Sequence, residues 1–338
     1  MNKTLIIAEA GVNHNGSFDM AKQLVDIAAQ SGADYIKFQI FKSESVICKT
    51  AEKAQYQKET TGQSESQLEM VKKLELSFEQ HRQLKAYCSH KNIKYLCTPF
   101  DLESLAFLLE LGLDTIKIPS GEITNYFLLD EIAKHEINVI LSTGMSTLDE
   151  IKQAINLLNQ HGRISNLTVL HCNTQYPTPF GDVNLAALSL LHEELLCDIG
   201  YSDHTAGTEV AVAAVALGAK IIEKHFTLSR LLPGPDHQAS LEPEELSRMV
   251  KEIRHIELAL GSKTKKVTQS EADNIDIARK FLVAARDIKA GTVFCIEDFV
   301  AKRTGVGGIN PMHVFEVIGK VAKNSYLADQ PISLREVD

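Results

Sequence analysis

Eight short apolar runs punctuate the chain, and each ends in a cluster of polar or ionisable positions. They are Thr4–Gly11, Asp34–Phe41, Lys94–Phe100, Thr115–Glu122, Asn138–Met145, Leu167–Thr174, Asp198–His204 and Lys220–Thr227. Each run is continuously apolar rather than alternating and is bounded by turn residues, which is the pattern of a strand buried on both faces of a parallel sheet. Helix-period segments lie between most of them. The first is expected to start at Ser17, whose hydroxyl can cap the first turn, with Met20, Leu24, Val25, Ile27 and Ala28 at helical spacing and Gly32 at its end. Further helices are expected near 77–91, 101–111, 125–135, 147–161, 205–217 and 242–260, with a shorter one between Gln175 and Glu193. This alternation predicts an α/β fold, a (β/α)8 TIM barrel.

Such barrels keep their chemistry at the C-terminal ends of the strands. Here those ends carry Glu9, Lys37, Gln39, Thr98, Lys117, Ser120, Glu122, Ser142, Asn173, Tyr176, Ser202, His204 and His225. A long polar excursion, residues 42–66, leaves the same face, and loops of that length in compact domains are usually functional. A chain of 338 residues exceeds the roughly 250 of one ordinary barrel, so a second domain is expected. The reading is a barrel over 1–261, a linker over 262–280 where Lys, Thr, Ser and Gln dominate, and a small domain over 281–338. Within the last, Asp287–Thr292 reads as a strand and turn, Ile296–Phe299 as a helical turn, Val300–Arg303 as a strand and Gly305–Gly308 as a loop.

Composition narrows the function. A formal charge of −9 with no basic run argues against a nucleic-acid partner. No apolar stretch approaches the roughly 20 residues of a membrane span, and Met1 runs almost directly into the first strand, leaving no room for a signal peptide. The six cysteines form no CxxC pair and read as reduced thiols of a cytoplasmic protein.

The strand-end residues suggest three chemistries. His204 and His225 end neighbouring strands, so their imidazoles can share one divalent metal; alternatively each is hydrogen-bonded in a polar pocket. Lys37 and Lys117 sit inside apolar strands, where a charge is costly unless it meets an anion. A shared phosphate or carboxylate ligand fits them, with Thr98, Ser120, Ser142 and Ser202 as hydroxyl donors. Structural ion pairs with Glu9 and Glu122, or a Schiff-base lysine of a class I aldolase, are the alternatives. Glu9 and Glu122 face the mouth and suit substrate orientation and proton transfer. Asp203 is a candidate partner for His204, or, since side-chain direction alternates along a strand, a structural residue. Asp236, in the stiff Pro233–Asp236 loop, can bind a polyol hydroxyl or cap a turn. No Walker loop, dinucleotide fingerprint or nucleophile elbow is present.

These segments together resemble the bacterial sialic acid synthase family over essentially the whole chain. The resemblance is carried by IAEAGVNHNG (7–16), IKFQ (36–39), CTPF (97–100), KIPSGE (117–122), LSTGM (141–145), LHCNTQYPTP (170–179), YSDHT (201–205), IEKHFT (222–227) and GPD (234–236). Each is weak alone; all in this order are specific. The tail resembles that family's antifreeze-like (SAF) domain.

The resemblance implies a metal-dependent condensation of phosphoenolpyruvate (PEP) with an N-acyl mannosamine-type sugar and water, giving a nine-carbon 2-keto acid and phosphate. It implies His204 and His225 as ligands of Mn2+, with Mg2+ or Co2+ as alternatives. It places Lys37, Thr98, Lys117, Ser120, Ser142 and Ser202 on PEP, and Glu9, Gln39, Tyr176 and Asp236 on the sugar. Glu122 is the expected base for water addition, with Glu9 and Lys37 also catalytic. Some members carry Asn where Thr174 stands and here Asn173 is its neighbour, so both are candidates for PEP contact. A domain-swapped homodimer is implied, with Arg303 reaching the sugar's acyl group across it. N,N'-diacetyllegionaminic acid, from 2,4-diacetamido-2,4,6-trideoxymannose, is the favoured product, and N-acetylneuraminic acid, from N-acetylmannosamine, the alternative. The two sugars differ at C4 and C6, which the 42–66 and 229–240 loops are expected to read. A non-catalytic ice- or glycan-binding protein is a further reading that rests on the tail alone.

Overall fold

The computed structural model describes residues 3–53 and 65–333. The chain forms two compact units, Met1–Gly261 and Ser262–Asp338. In the first, eight parallel strands run β1 Leu5–Gly11, β2 Tyr35–Ile40, β3 Lys94–Pro99, β4 Thr115–Ile118, β5 Ile137–Ser142, β6 Ile164–Cys172, β7 Asp198–Asp203 and β8 Ile221–His225. Their order in the sheet is β3-β2-β1-β8-β7-β6-β5-β4, and the two end strands β3 and β4 lie against each other, which closes the barrel.

The helices form where caps and periodicity predict. Ser17 accepts from the Met20 amide at 3.3 Å, and the helix Phe18–Gln30 buries Ala21, Leu24, Val25 and Ala28. Gly32 follows with φ +80°, a conformation in which a side chain is strained. Pro243 opens the 18-residue helix Pro243–Leu260, which buries Leu246, Met249, Val250 and Ile253.

Side-chain parity divides each strand. Outward positions such as Ile6, Ala8, Ile36, Phe38, Val139, Leu141, Val169 and Ile222 pack under the helices in the main core. Inward, Ile7, Tyr35, Leu96, Ile140, Leu170 and Ile221 form a separate apolar plug. One step further along the strands the inward positions become Glu9, Lys37, Thr98, Lys117, Ser142, Ser202 and Glu223. The runs read as continuously apolar because both faces are buried, yet every second residue near the mouth is polar. Gly200 occupies an inward position where a Cβ would lie 2.5 Å from Leu170 Cδ2 and 2.6 Å from the Ile221 carbonyl oxygen, so the plug leaves no space for a side chain there.

Several expectations shift. β4 ends at Ile118 because Pro119 cannot donate to a ladder, and Ser120–Glu122 forms a 3-10 turn instead of more strand. The helix expected from 205 begins at Glu209, since a turn at Gly207 (φ +81°) intervenes. The 42–66 excursion opens with a short helix, Ser43–Val46, and is followed by an unforeseen one, Gln67–Lys72, with a capping box from Ser66; residues 54–64 lie outside the described residues. The segment read as a linker contains two helical turns, Gln269–Ala272 and Ile275–Ala278.

In the second unit, the strand expected at Asp287–Thr292 lies earlier. β9 Lys280–Ala284 pairs antiparallel with β10 Phe299–Arg303. Residues 287–292 instead hold one isolated bridge, Ile288 with Tyr326, and a turn at Gly291. A core of Leu282, Ala284, Ile288, Phe294, Val317 and Tyr326 supports this unit. Among the described residues no helix is long and apolar enough to cross a membrane.

Candidate active site

Above the apolar plug lies a layer of buried charge. Lys37 Nζ stands 3.2 Å from Glu9 Oε1 and 3.5 Å from Glu223 Oε2, and donates to Thr98 Oγ1 at 3.3 Å. Lys117 Nζ donates to Ser142 Oγ at 2.7 Å and lies 3.5 Å from Glu223 Oε1, which also accepts from Ser202 Oγ at 3.0 Å. The carboxylate between the lysines is therefore Glu223. The ion pair expected with Glu9 forms; the one expected with Glu122 does not, because Glu122 sits on the turn beyond β4 and accepts from Asn125 Nδ2 at 2.6 Å.

This layer holds unsatisfied acceptors. Glu9 Oε2 and Glu223 Oε2 are buried without a hydrogen bond. Burial raises the Glu9 carboxyl above its usual range against the pull of Lys37. Burial also pushes Glu223 up, but Lys117 and Lys37 outweigh it and hold the group down to about 2. Burial lowers Lys117 despite Glu223, whereas for Lys37 the opposing burial is overcome by Glu223 and Glu9 and the ammonium is favoured. The atoms left without a partner are carboxylate oxygens, which call for a donor or a cation, while the two buried ammonium groups at 3.2–3.5 Å from their carboxylates are the cations that an incoming anion would meet.

Beside it the loops after β4, β5 and β6 bring small polar groups together. Ser120 Oγ accepts from the Gly144 amide at 2.9 Å and lies 3.1 Å from Cys172 Sγ. A Cβ on Gly144 would fall 2.6 Å from Thr174 Cγ2 and 2.9 Å from Ser120 Oγ, so Ser120, Gly144 and Thr174 converge. Asn173 turns the other way: its side-chain oxygen accepts from the Gln175 amide at 2.7 Å and its amide reaches the Asp182 carbonyl at 3.5 Å.

Nearer the mouth stand the histidines. The His204 and His225 rings are 5.3 Å apart at 63°, and Tyr176 packs on both, at 4.1 and 5.5 Å. His204 Nδ1 bonds the Asn173 carbonyl, which can only accept. The proton therefore sits on Nδ1, and the Nε2 lone pair faces the Tyr176 hydroxyl at 3.1 Å. His225 Nδ1 is buried with no hydrogen-bond partner. Burial lowers His204 to about 4 and, with His204 beside it, holds His225 well below its ordinary value, so both imidazoles are neutral. Neutral rings with one orphaned and one weakly committed nitrogen fit a metal ion. Among the described residues no group of three or more His, Cys, Asp or Glu side chains forms a ready-made metal site, so the two imidazoles are the ligands the protein offers from that set.

Gln39, Tyr176, His225 and Asp236 line a cavity of about 270 Å³ at this end of the barrel. Gln39 donates to Glu9 Oε1 at 3.0 Å. Burial, reinforced by Glu9, raises Asp236 to about 7. Its loop is fixed by residues that sequence reasoning missed: His237 meets Thr227 at 2.6 Å and Asn15 at 3.1 Å, Asn15 holds the Pro233 carbonyl at 2.8 Å, and Asn13 holds Ser240 at 2.9 Å. For Asp203 the structural alternative holds. It faces outward and accepts from Lys224 at 2.8 Å and from the Thr205 amide at 2.9 Å rather than supporting His204. Arg303 belongs to the second unit and is exposed on β10.

A closed eight-stranded barrel with anion-receptive lysines beneath paired imidazoles is the setting in which the comparisons with known proteins fall. Residues 24–265 match the NeuB family and residues 279–337 match the SAF domain. The chain belongs to the NeuB family. It is 52% identical to N,N'-diacetyllegionaminic acid synthase of Campylobacter jejuni, over 98% of this chain and 99% of that protein. It is 44% identical to the N,N'-diacetyllegionaminic acid synthase of Legionella pneumophila, over 93% of this chain and 89% of that one. Among solved structures, the N-acetylneuraminic acid (sialic acid) synthetase of Leptospira borgpetersenii superposes with a TM-score of 0.71 at 36% identity, covering 81% of this chain and 91% of that one.

Proposed function

We propose that this enzyme condenses PEP with 2,4-diacetamido-2,4,6-trideoxymannose and water to give N,N'-diacetyllegionaminic acid and phosphate. The observation that carries the reading is the buried Lys37–Glu223–Lys117 layer directly below two neutral imidazoles. The Campylobacter and Legionella relatives, at 52% and 44% identity, are both N,N'-diacetyllegionaminic acid synthases and support the choice of sugar over the N-acetylneuraminic alternative.

Lys37, Lys117, Ser142 and Ser202 receive the charged groups of PEP, with Thr98, Ser120 and Thr174 completing the cradle; Asn173 serves by anchoring His204 through its carbonyl. His204 and His225 would hold a divalent cation, Mn2+ in preference to Mg2+ or Co2+, which when bound supplies Lewis-acid polarisation of the open-chain aldehyde. Glu9, Gln39, Tyr176 and Asp236 orient the sugar. C3 of PEP bonds to the aldehyde carbon, and the carbonyl oxygen takes up a proton, for which the raised carboxyl of Glu9 is suited. Water then adds at C2 and gives a proton to Glu122. The adduct collapses to the keto acid, and phosphate leaves by C–O cleavage. The same reading makes the assembly a cytoplasmic, domain-swapped homodimer in which the partner's Arg303 meets the acyl group.

The test is phosphate release from PEP with Mn2+, run with the 2,4-diacetamido sugar and with N-acetylmannosamine, with and without EDTA. The expected result is EDTA-sensitive release with a higher kcat/KM for the diacetamido sugar. Release indifferent to EDTA, or trapping of pyruvate by borohydride on Lys37 or Lys117, would replace this reading with an imine aldolase.

A further inference from the structure

The cavity at the mouth has two chemically different sides. Gln39, Tyr176, His225 and Asp236 form one. Opposite, Val12, Phe41 and Leu74 make a small buried cluster of their own, separate from the main core, with Val71 and Phe100 packed against it. Phe41 and Phe100 meet edge to face at 6.1 Å. Gln67 is the one hydrogen-bonding side chain on that wall among the described lining residues.

We infer that this apolar wall is a specificity device that receives the deoxygenated C6 end of the acceptor sugar and discriminates against a C6 hydroxyl. The inference rests on the condensing reaction proposed above. With the aldehyde carbon at the imidazoles, the polar groups near C1 and C2 meet the histidine side, and the far end of the six-carbon chain meets Phe41, Val71, Leu74 and Phe100. A methyl group there gains contact with apolar surface, whereas a hydroxymethyl group gives up its hydrogen bonds to water against a wall whose one hydrogen-bonding side chain among the described lining residues is Gln67. Apolar pockets reject an added hydroxyl by a limited factor, up to about a hundredfold. The expected preference therefore lies between about tenfold and a hundredfold in kcat/KM.

The experiment compares N-acetylmannosamine with its 6-deoxy analogue, a pair differing by one hydroxyl, with the 2,4-diacetamido sugar as reference, all with PEP and Mn2+. The wild-type enzyme is expected to favour the 6-deoxy sugar. Val71→Thr keeps side-chain shape and adds a hydroxyl to the wall, and should narrow the ratio at least threefold, mainly through the 6-hydroxy sugar. Gln67→Leu should leave the preference in place or widen it. Equal kcat/KM for the matched pair in the wild type overturns the wall assignment while turnover of the diacetamido sugar stands. A preference that vanishes in Gln67→Leu but survives Val71→Thr gives the discrimination to Gln67 instead and also overturns it. No phosphate release with any of the sugars is a failure of the proposed reaction itself.

Discussion

Two buried lysine–carboxylate systems share strand β8 and differ in almost every other respect. Lys224 faces outward, 2.8 Å from Asp203, and donates to the Thr205 carbonyl at 2.6 Å, while Asp203 also accepts from the Thr205 amide and hydroxyl. One residue back, Glu223 faces inward between Lys37 and Lys117, and Glu9 and Glu223 each keep an oxygen without a hydrogen bond. The outward pair is closed and tightly spaced; the inward layer is spread over ion pairs of 3.2–3.5 Å. Burial alone therefore does not mark a functional charge. What sets the inward layer apart is its place at the C-terminal ends of the strands, with two lysines around one carboxylate and carboxylate oxygens left without a donor.

The strongest way to break this comparison is Lys117→Met. It should lower kcat/KM for PEP on the order of a thousandfold, the scale of losing one partner of a buried charge pair, while far-UV circular dichroism stays native. A phosphate-release assay that finds less than a tenfold loss would place the anion elsewhere. Next is Lys224→Met, which leaves Asp203 buried and unpaired and should cost about 3–5 kcal/mol of stability in urea denaturation. Its folded fraction should retain kcat/KM within about threefold, since no substrate contact is assigned to that side of β8. A large catalytic loss at unchanged stability would erase the distinction between the two systems. His225→Ala should weaken Mn2+ binding, read by titration calorimetry without substrates, about 10–100-fold or more; unchanged affinity removes the imidazoles from the metal role.

A smaller effect sharpens the electrostatics. Asp236 is raised to about 7 from an ordinary value of 3.8, so the folded state holds a proton that the unfolded chain releases. Its contribution to stability is present below the ordinary value and is lost as pH rises through about 7. Asp236→Asn should flatten this slope, leaving the variant a few degrees higher in Tm than the wild type at pH 8 and close to it at pH 4. Parallel melting curves at both pH values would show that solvent already screens the group.

Most of the barrel was legible because eight doubly buried strands leave continuous apolar runs and their ends leave polar clusters. The histidines and lysines stood out as ionisable groups at those ends. Glu223 was overlooked because Lys224 follows it and the tripeptide reads as one charged patch, although stepping back two residues from His225 places it inward. The same parity rule places Asp203 outward and decides between the two roles the sequence left open for it. The helix Gln67–Lys72 lies beside a polar excursion and has too few apolar positions to announce itself. Asn13, Asn15 and His237 act through a loop far away in sequence, which no local pattern records.

The plug of Ile7, Tyr35, Leu96, Ile140, Leu170 and Ile221 makes the barrel a dead end, and this has a kinetic consequence. If PEP sits on the deep lysines and the sugar in the cavity above, as proposed, the two reactants share a single entrance. Depth then predicts the order of addition: PEP first, with a bound sugar blocking its exchange. Inorganic phosphate, competing for the lysine layer, should act as a competitive inhibitor towards PEP and a noncompetitive one towards the sugar.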